Sequence, residues 1–219
     1  MPLDDTSAYH LIIAIIINIR DVVMTISGLQ FVNGVDEEQH LGGNIAEGDP
    51  RTYAPSVWDY VIKRFAVKSV LDIGSGLGYA ADYFFNAGVK TLAVEGLTFN
   101  VNHSIYPALH QDITQKPILC KVDLVHCQEV VEHIEESFLD NLLSSLTCGR
   151  FILMTHAVPG QEGHHHVNEQ PMEYWINHLR RYSCGLLEED TMRIRHLAAN
   201  DGALYLAQNG LLFVNRNRI

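Results

Sequence analysis

Basic residues are scarce in this chain. Its 219 residues carry 15 Lys and Arg against 26 Asp and Glu, a formal net charge of −11. A phosphate backbone is gripped by a basic face, so this balance makes nucleic acid an unlikely partner. Arg180, Arg181, Arg193 and Arg195 offer one local basic patch, but solvated helix faces account for them more simply. Cysteine is sparse too. Cys120, Cys127, Cys148 and Cys184 are far apart and form no C-x-x-C pair, so neither metal-ligand spacing nor a disulfide framework is visible among them. Three lie in or beside apolar runs, as free thiols in a reducing cytoplasm would. Long apolar runs are missing. Leu11 to Ile17 is seven residues long, whereas a spanning helix needs about 20. Asp4 and Asp5 precede it, with no Lys or Arg, so it is no signal peptide either. The expectation is a cytoplasmic protein with no membrane partner. Repeats and low-complexity linkers are also lacking, which argues for one domain.

What is present is an alternation of strand and helix signals. Residues 24–55 read as irregular. Pro55 opens a helix through Phe65, with Val57, Tyr60, Val61 and Phe65 at helical spacing. Strands are expected at Ser69–Ile73, Thr91–Val94, Leu109–Ile113, Leu124–Cys127, Phe151–Thr155 and Leu211–Val214. Helices fit Tyr79–Ala87, Ser137–Leu146 and Met172–Tyr182. Such alternation predicts an α/β fold with a doubly wound, mostly parallel sheet in three α/β/α layers. Residues 1–39 read as an N-terminal extension and 40–219 as the domain. Met24 is an alternative natural start.

The most specific segment is Ser-Val-Leu-Asp-Ile-Gly-Ser-Gly-Leu-Gly at 69–78. A buried strand turning through glycines into a helix lets a ligand lie against bare backbone, with helix-start N–H groups facing it. A dinucleotide fingerprint needs G-x-G-x-x-G, and Tyr79 stands where its third glycine belongs. This spacing opposes a nicotinamide oxidoreductase. Asp72 instead stands two residues before Gly74, Gly76 and Gly78. Glu95 closes the next strand, 23 residues after Asp72, where an acid can accept hydrogen bonds from ribose hydroxyls.

The Asp-x-Gly-x-Gly-x-Gly pattern resembles motif I of the class I S-adenosylmethionine-dependent methyltransferases. The resemblance covers roughly residues 40–215. It implies a Rossmann-like methyltransferase fold, and S-adenosylmethionine held by Asp72, Gly74, Ser75, Gly76, Gly78, Glu95, Gly96, Asp112 and Gln128. In that family the position of Asp112 often bonds the adenine amino group. The segment before motif I often folds over the cofactor, which makes His40–Asn44 a candidate lid.

Gln128-Glu129-Val130-Val131-Glu132-His133 follows the fourth strand. If it opens a helix, Glu129, Glu132 and His133 share one face, and their mixed oxygen and nitrogen donors suit Mg²⁺ or another divalent metal. The Glu-x-x-Glu-His pattern resembles the metal-dependent small-RNA 2′-O-methyltransferases and the ubiquinone-pathway O-methyltransferases. It is also frequent in methyltransferases that use no metal. His164, His165 and His166 sit in a loop after the fifth strand. Either His165 or His166 supplies a further ligand, with His165 the metal candidate, or one of His133, His165 and His166 is a general base. His156 is more simply a structural histidine. Tyr174 and Trp175 beside Asn168 and Gln170 suit either a small polar acceptor or helix packing.

The expected function is methyl transfer to oxygen of a small hydroxylated metabolite or glycan, with metal assistance left open. The alternatives are an RNA 2′-O-methyltransferase, opposed by the charge, and a non-catalytic cofactor-binding or interaction module. Whether the chain forms a homo-oligomer is open.

Overall fold

The computed structural model describes residues 31–219 apart from residues 35 and 162. The apolar run at 11–17 and the alternative start at Met24 therefore lie outside the described residues. Its main sheet has seven strands: β3 (Ser69–Ile73), β4 (Lys90–Glu95), β5 (Ala108–His110), β6 (Val122–Cys127), β7 (Gly149–Met154), β8 (Cys184–Leu186) and β9 (Leu211–Asn215). Their spatial order is β5-β4-β3-β6-β7-β9-β8. The first five are mutually parallel; β9 runs antiparallel to β7 and β8. The order reverses at β3, and its neighbour β6 begins the other half. Open α/β sheets bind ligands outside the carboxyl ends of strands at such a switch point.

Two apolar cores, one on each face, explain the strand sequences. Leu71 and Ile73 point into a core with Val94, Val125, Ile152 and the helices α4 (Leu139–Leu146) and α5 (Met172–Arg181). Val70, Leu124 and Leu153 face the other core. It is filled by α1 (Pro55–Phe65), α2 (Tyr79–Asn86), α6 (Glu188–Asp201) and α7 (Leu204–Asn209). Two-sided burial is why β3 is almost continuously apolar. Its one polar residue, Asp72, is matched across the sheet by His126, whose Nδ1–H donates to it at 2.7 Å. Trp58 Nε1 donates to the other ring nitrogen at 3.3 Å.

Several elements differ from expectation. The third strand ends at His110, not Ile113. Asp112 Oδ1 accepts the Thr114 N–H at 2.7 Å, and this side-chain turn bends the chain so that Ile113 drops into the core. The β5–β6 crossover carries no helix, and Leu92 and Leu109 are left exposed. Strand β8 and helices α6 and α7 had no clear sequence signal. Helix α6 buries Thr191, Ile194 and Ala198, mostly small side chains that give a faint apolar stripe. A short helix α3 (Thr98–His103) follows β4. The region before α1 is ordered into a hairpin of β1 (Phe31–Asn33) and β2 (Gly43–Ile45), with helical turns at Asp36–Leu41 and Pro50–Thr52.

Candidate active site

The carboxyl ends of β3, β4, β6 and β7 converge on the glycine loop. Gly74, Gly76 and Gly78 all have positive φ, at 66°, 56° and 82°. At Gly74 a side chain would also collide with the Val130 methyl packed over it, so both conformation and space demand glycine. The loop differs in one respect from the free-amide cradle its sequence suggests. The N–H groups of Gly74 and Ser75 donate to the Val94 carbonyl at 2.9 and 3.1 Å, and that of Gly78 to the Ser75 carbonyl. The Gly76 N–H donates to Glu95 Oε2 at 2.7 Å. The loop therefore holds its own shape and grips Glu95.

Glu95 is buried, and its other oxygen accepts from the Leu97 N–H at 2.9 Å. Burial pushes its carboxyl up, only partly opposed by these hydrogen bonds. Beside it, Gly96, His110, Gln111 and Asp112 line a cleft of about 450 Å³, within the size range of small-ligand sites. Asp72 lies lower, beneath the loop. Its Oδ1 is tied to His126, and its buried Oδ2 has no hydrogen-bond partner among the described residues. Ser75 Oγ and Gln128 Nε2 are likewise buried without partners. Buried polar atoms are nearly always paired, so these three atoms fit a site that awaits polar groups of a ligand.

The second cluster follows β6. Glu129, Glu132 and His133 do not share a helix face. Glu129 has left-handed φ (55°), its N–H donates to Thr155 Oγ1 at 2.7 Å, and its carboxylate accepts the Thr155 hydroxyl at 2.8 Å. These bonds hold Glu129 against the end of β7. Only a single helical turn, Val131–His133, follows before Ile134 becomes extended. The loop after β7 is pinned onto this turn: the N–H groups of Val167 and Asn168 both donate to the Glu132 carbonyl at 3.0 Å.

This pinning brings Glu132, His133 and His166 together, one donor atom of each within 4.8 Å of the others. Two donors on one ion stand at most about 4–5 Å apart, twice a bond of about 2.0–2.6 Å. The expected ligands Glu129 and His165 fall outside this trio. His165 has φ 56°; its carbonyl accepts from His133 Nδ1 at 3.1 Å and its ring lies roughly parallel to that of His133, centroids 6.5 Å apart. A carbonyl can only accept, so the His133 lone pair sits on Nε2. His166 Nδ1 faces Glu169 Oε1 at 3.2 Å, which likewise leaves Nε2 as the open donor atom. A carboxylate behind an imidazole is how metal-ligating histidines are commonly oriented.

Electrostatics sharpen the picture. Glu132 is fully buried, and among the described residues neither carboxylate oxygen meets a hydrogen-bond partner at good geometry, although the Glu129 carboxyl lies close enough to share a proton with it. Burial lifts its carboxyl to about 7. Burial, then repulsion from Glu132, pushes Glu129 well up. Burial lowers His133 to about 4, so its ring is neutral at physiological pH. A proton-hungry carboxylate with two imidazole nitrogens within 4.8 Å is a donor set that fits a divalent cation. His156 is tied to the Gln170 carbonyl at 3.0 Å and buried, in keeping with a structural role. Asn168 supports the loop by donating to the Ile134 carbonyl at 3.1 Å. Trp175 is wholly buried in the core, so it packs the helix and lines no acceptor pocket.

Two further groups border the site, the first overlapping the candidate lid His40–Asn44 and the second without a clear signal in the sequence. Residues 36–41 reach across the cleft, with Leu41 Cδ1 2.6 Å from where a Gly96 side chain would stand and His40 Nε2 2.8 Å from Asp112 Oδ2. A second group, Asp49, Arg51 and Tyr205, lies near Glu129. Arg51 Nε bonds Asp49 Oδ1 at 2.9 Å, and the Tyr205 hydroxyl donates to Asp49 Oδ2 at 2.8 Å. These pairings join loop residues to a distant helix, and only the fold reveals them.

Comparison with solved structures settles the fold. A TehB-like S-adenosylmethionine-dependent methyltransferase from Corynebacterium glutamicum superposes with a TM-score of 0.54 at 13% identity, over 74% of this chain and 87% of that one. The chain has the class I S-adenosylmethionine-dependent methyltransferase fold. A candidate sarcosine dimethylglycine methyltransferase from Galdieria sulphuraria matches over 92% of this chain and 99% of its own, at 13% identity and TM-score 0.53. The methyltransferase domain of a bacterial CtHen1 matches over 63% and 88%, at 14% and 0.51. No family model and no curated protein matches the sequence. In this chain the glycine loop and the acid of the following strand sit together at the switch point. Among the described residues no helix is long and apolar enough to cross a membrane.

Proposed function

We propose that this protein transfers a methyl group from S-adenosylmethionine to a hydroxyl oxygen of a small polyhydroxylated acceptor, a metabolite or glycan, with a divalent cation held by Glu132, His133 and His166. The observation that carries the cation is the wholly buried Glu132 carboxylate, with a nitrogen each of His133 and His166 within 4.8 Å of it and the largely buried Glu129 as its carboxyl neighbour. An uncompensated buried carboxylate is costly, and a cation there removes that cost. Mg²⁺ and Mn²⁺ suit the carboxylate, and Mn²⁺ also accepts imidazole.

Ser75, Gln128 and Asp72 each have a buried unpaired polar atom that supports contacts to the polar groups of the cofactor, and Glu95, whose oxygens already accept from the Gly76 and Leu97 N–H groups, would accept ribose hydroxyls with its remaining lone pairs. The bound cation would polarise an acceptor hydroxyl and ease its deprotonation. His133 stays neutral and keeps Nε2 directed by its bond to the His165 carbonyl. His165, outside the cation trio, is the candidate base on the loop side, and His166 takes that role only if no cation binds. Methyl transfer is an in-line displacement, so alignment of donor and acceptor is the chain's main contribution. A cation that takes two acceptor oxygens favours vicinal hydroxyls.

A second reading is an RNA 2′-O-methyltransferase. It is favoured because Glu132, His133 and the further His166 form the kind of set the small-RNA methyltransferases use, and one of the similar structures is a CtHen1 methyltransferase domain. The net charge of −11 opposes it. Incubation with labelled S-adenosylmethionine and separate small-molecule, glycan and small-RNA pools decides between them. Label in the small-molecule or glycan pool, lost in chelator and restored by Mn²⁺, supports the proposal. Label in the RNA pool alone supports the second reading, and full activity in excess chelator removes the cation.

A further inference from the structure

One carboxylate of the loop after β7 belongs to no motif. Glu169 lies three residues past His166, and its two oxygens serve two donors. Oε2 accepts the Gly160 N–H at 2.7 Å, and Oε1 faces His166 Nδ1 at 3.2 Å. Both side chains are mostly shielded from water, His166 at 10% and Glu169 at 20% exposure. Backbone holds the same ring from another side. A side chain at Gly163 would meet His166 Cε1 and Nε2 at 2.3 Å. Gly163 is not among the residues with positive φ, so it is the ring, not the backbone conformation, that demands glycine there. The His133 ring meets that of His166 edge-on, centroids 5.2 Å apart and planes at 71°.

These contacts decide where one proton sits. An ionised carboxylate only accepts, so the hydrogen of a neutral His166 ring stands on Nδ1 and the lone pair on Nε2. Only the nitrogen with the lone pair can bind a cation. The Gly160 N–H, in turn, holds one Glu169 oxygen and leaves the other on the ring. The neighbouring His165 shows the contrast. Its Nδ1 is buried with no hydrogen-bond partner among the described residues, so nothing there selects a tautomer. Of the two, the histidine that joins Glu132 and His133 is the one backed by a carboxylate.

Resting on the cation reading, we infer that Glu169 is a positioning residue that holds His166 in the tautomer with Nε2 bare, so that this ligand of the trio is set before a cation arrives. Glu169 needs no contact with cation or acceptor. Its effect travels through a single imidazole hydrogen. Ala at 169 leaves that hydrogen unassigned. Gln is informative in another way, because its one acceptor oxygen cannot serve Gly160 and His166 at once. If the oxygen keeps Gly160, the amide N–H faces Nδ1 and drives the ring hydrogen to Nε2.

The test joins Mn²⁺ titration calorimetry to nitrogen-15 NMR of the histidine rings, both on the whole chain at about pH 8, where an unperturbed histidine is neutral. In the cation-free wild type the His166 ring should show the Nδ1–H form. Glu169→Ala should shift it toward the Nε2–H form and weaken Mn²⁺ by about 10–100-fold, the usual cost of removing the outer partner of a metal-ligating histidine. Glu169→Gln should shift the tautomer in the same direction. Gly163→Ala, which drives a methyl into the ring, should also weaken Mn²⁺ with Glu169 still present. Circular dichroism reports that each variant is folded. If Glu169→Ala does not fold, Glu169→Gln and Gly163→Ala carry the test. A wild type that takes up no Mn²⁺ overturns the cation reading, and the inference with it. A wild type that binds Mn²⁺, with affinity and tautomer unchanged in the Glu169 variants, leaves the cation reading standing and overturns the inference. A lowered melting temperature or a lowered Mn²⁺ affinity with the His166 tautomer unchanged reduces Glu169 to a loop tie and also overturns its role.

Discussion

Replacing Glu132 by Gln removes one buried charge and little volume, and the structure gives the consequences a size. Burial lifts this carboxyl from the ordinary 4.5 to about 7. Between those values the folded chain holds a proton that the unfolded chain has released. That contribution to stability is therefore full below about pH 4.5 and is lost as the pH rises through about 7. At about 1.4 kcal/mol per pH unit the loss is about 3 kcal/mol, or very roughly 5–10 °C in melting temperature for a domain of this size. The wild type without cation should thus weaken markedly between pH 5 and pH 8, and Glu132→Gln should weaken less, its remaining loss coming from the largely buried Glu129. The buried amide brings its own cost, so the informative quantity is the difference between pH values and not the stability at one. Adding Mn²⁺ should reverse the wild-type loss. At about 100 times its dissociation constant a ligand adds about 2.7 kcal/mol. The variant should gain almost nothing. Denaturant melts of both proteins at pH 5 and 8, with and without Mn²⁺, measure all four terms. Equal pH slopes, or an equal response to Mn²⁺, would refute the reasoning, because both follow from the same buried carboxylate.

Other predictions follow from separate contacts. Mn²⁺ affinity, read by titration, should rise with pH through about 7 as the Glu129–Glu132 pair gives up its proton, and should show no break near 6.5 from His133, which burial holds near 4. Glu95→Ala should weaken S-adenosylhomocysteine binding by roughly ten- to hundredfold in calorimetry; unchanged affinity in a folded variant takes Glu95 out of the site. Gly74→Ala forces a side chain into left-handed backbone and into Val130, so it should cost about 1–3 kcal/mol or more in thermal melts. Adding Val130→Ala should return part of that loss. Trp58→Phe strips the donor from His126 Nε2 and should cost about 1–3 kcal/mol while leaving cation binding intact.

How much of this was legible beforehand depended on how local its cause was. Strand β3, α1 and the glycine loop are written in contiguous residues, and the structure places them at Ser69–Ile73, Pro55–Phe65 and the switch point. Helix α6 was not legible because its buried face is made of Thr191, Ile194 and Ala198, and α7 because it is a single short run held by packing. The spacing of Glu129, Glu132 and His133 suggested a helix face, but the hydrogen bonds of Glu129 to Thr155, 26 residues on, dictate a left-handed residue instead. Choosing His166 over His165 turns on one backbone φ and two amides that bond the Glu132 carbonyl. The link between His40 and Asp112 spans 72 residues. No local pattern carries such pairings; only the folded sheet edge creates them.

The most direct test of the central claim is a crystal of the protein grown with S-adenosylhomocysteine and Mn²⁺, examined by anomalous scattering at the manganese edge. The account predicts a single strong peak within about 2.0–2.3 Å of a Glu132 oxygen and of one nitrogen each from His133 and His166, with the homocysteine derivative lying against Gly74–Gly78 and its ribose at Glu95. Bound cofactor with no anomalous peak at Glu132 under saturating Mn²⁺, or a peak held by other residues, would contradict it.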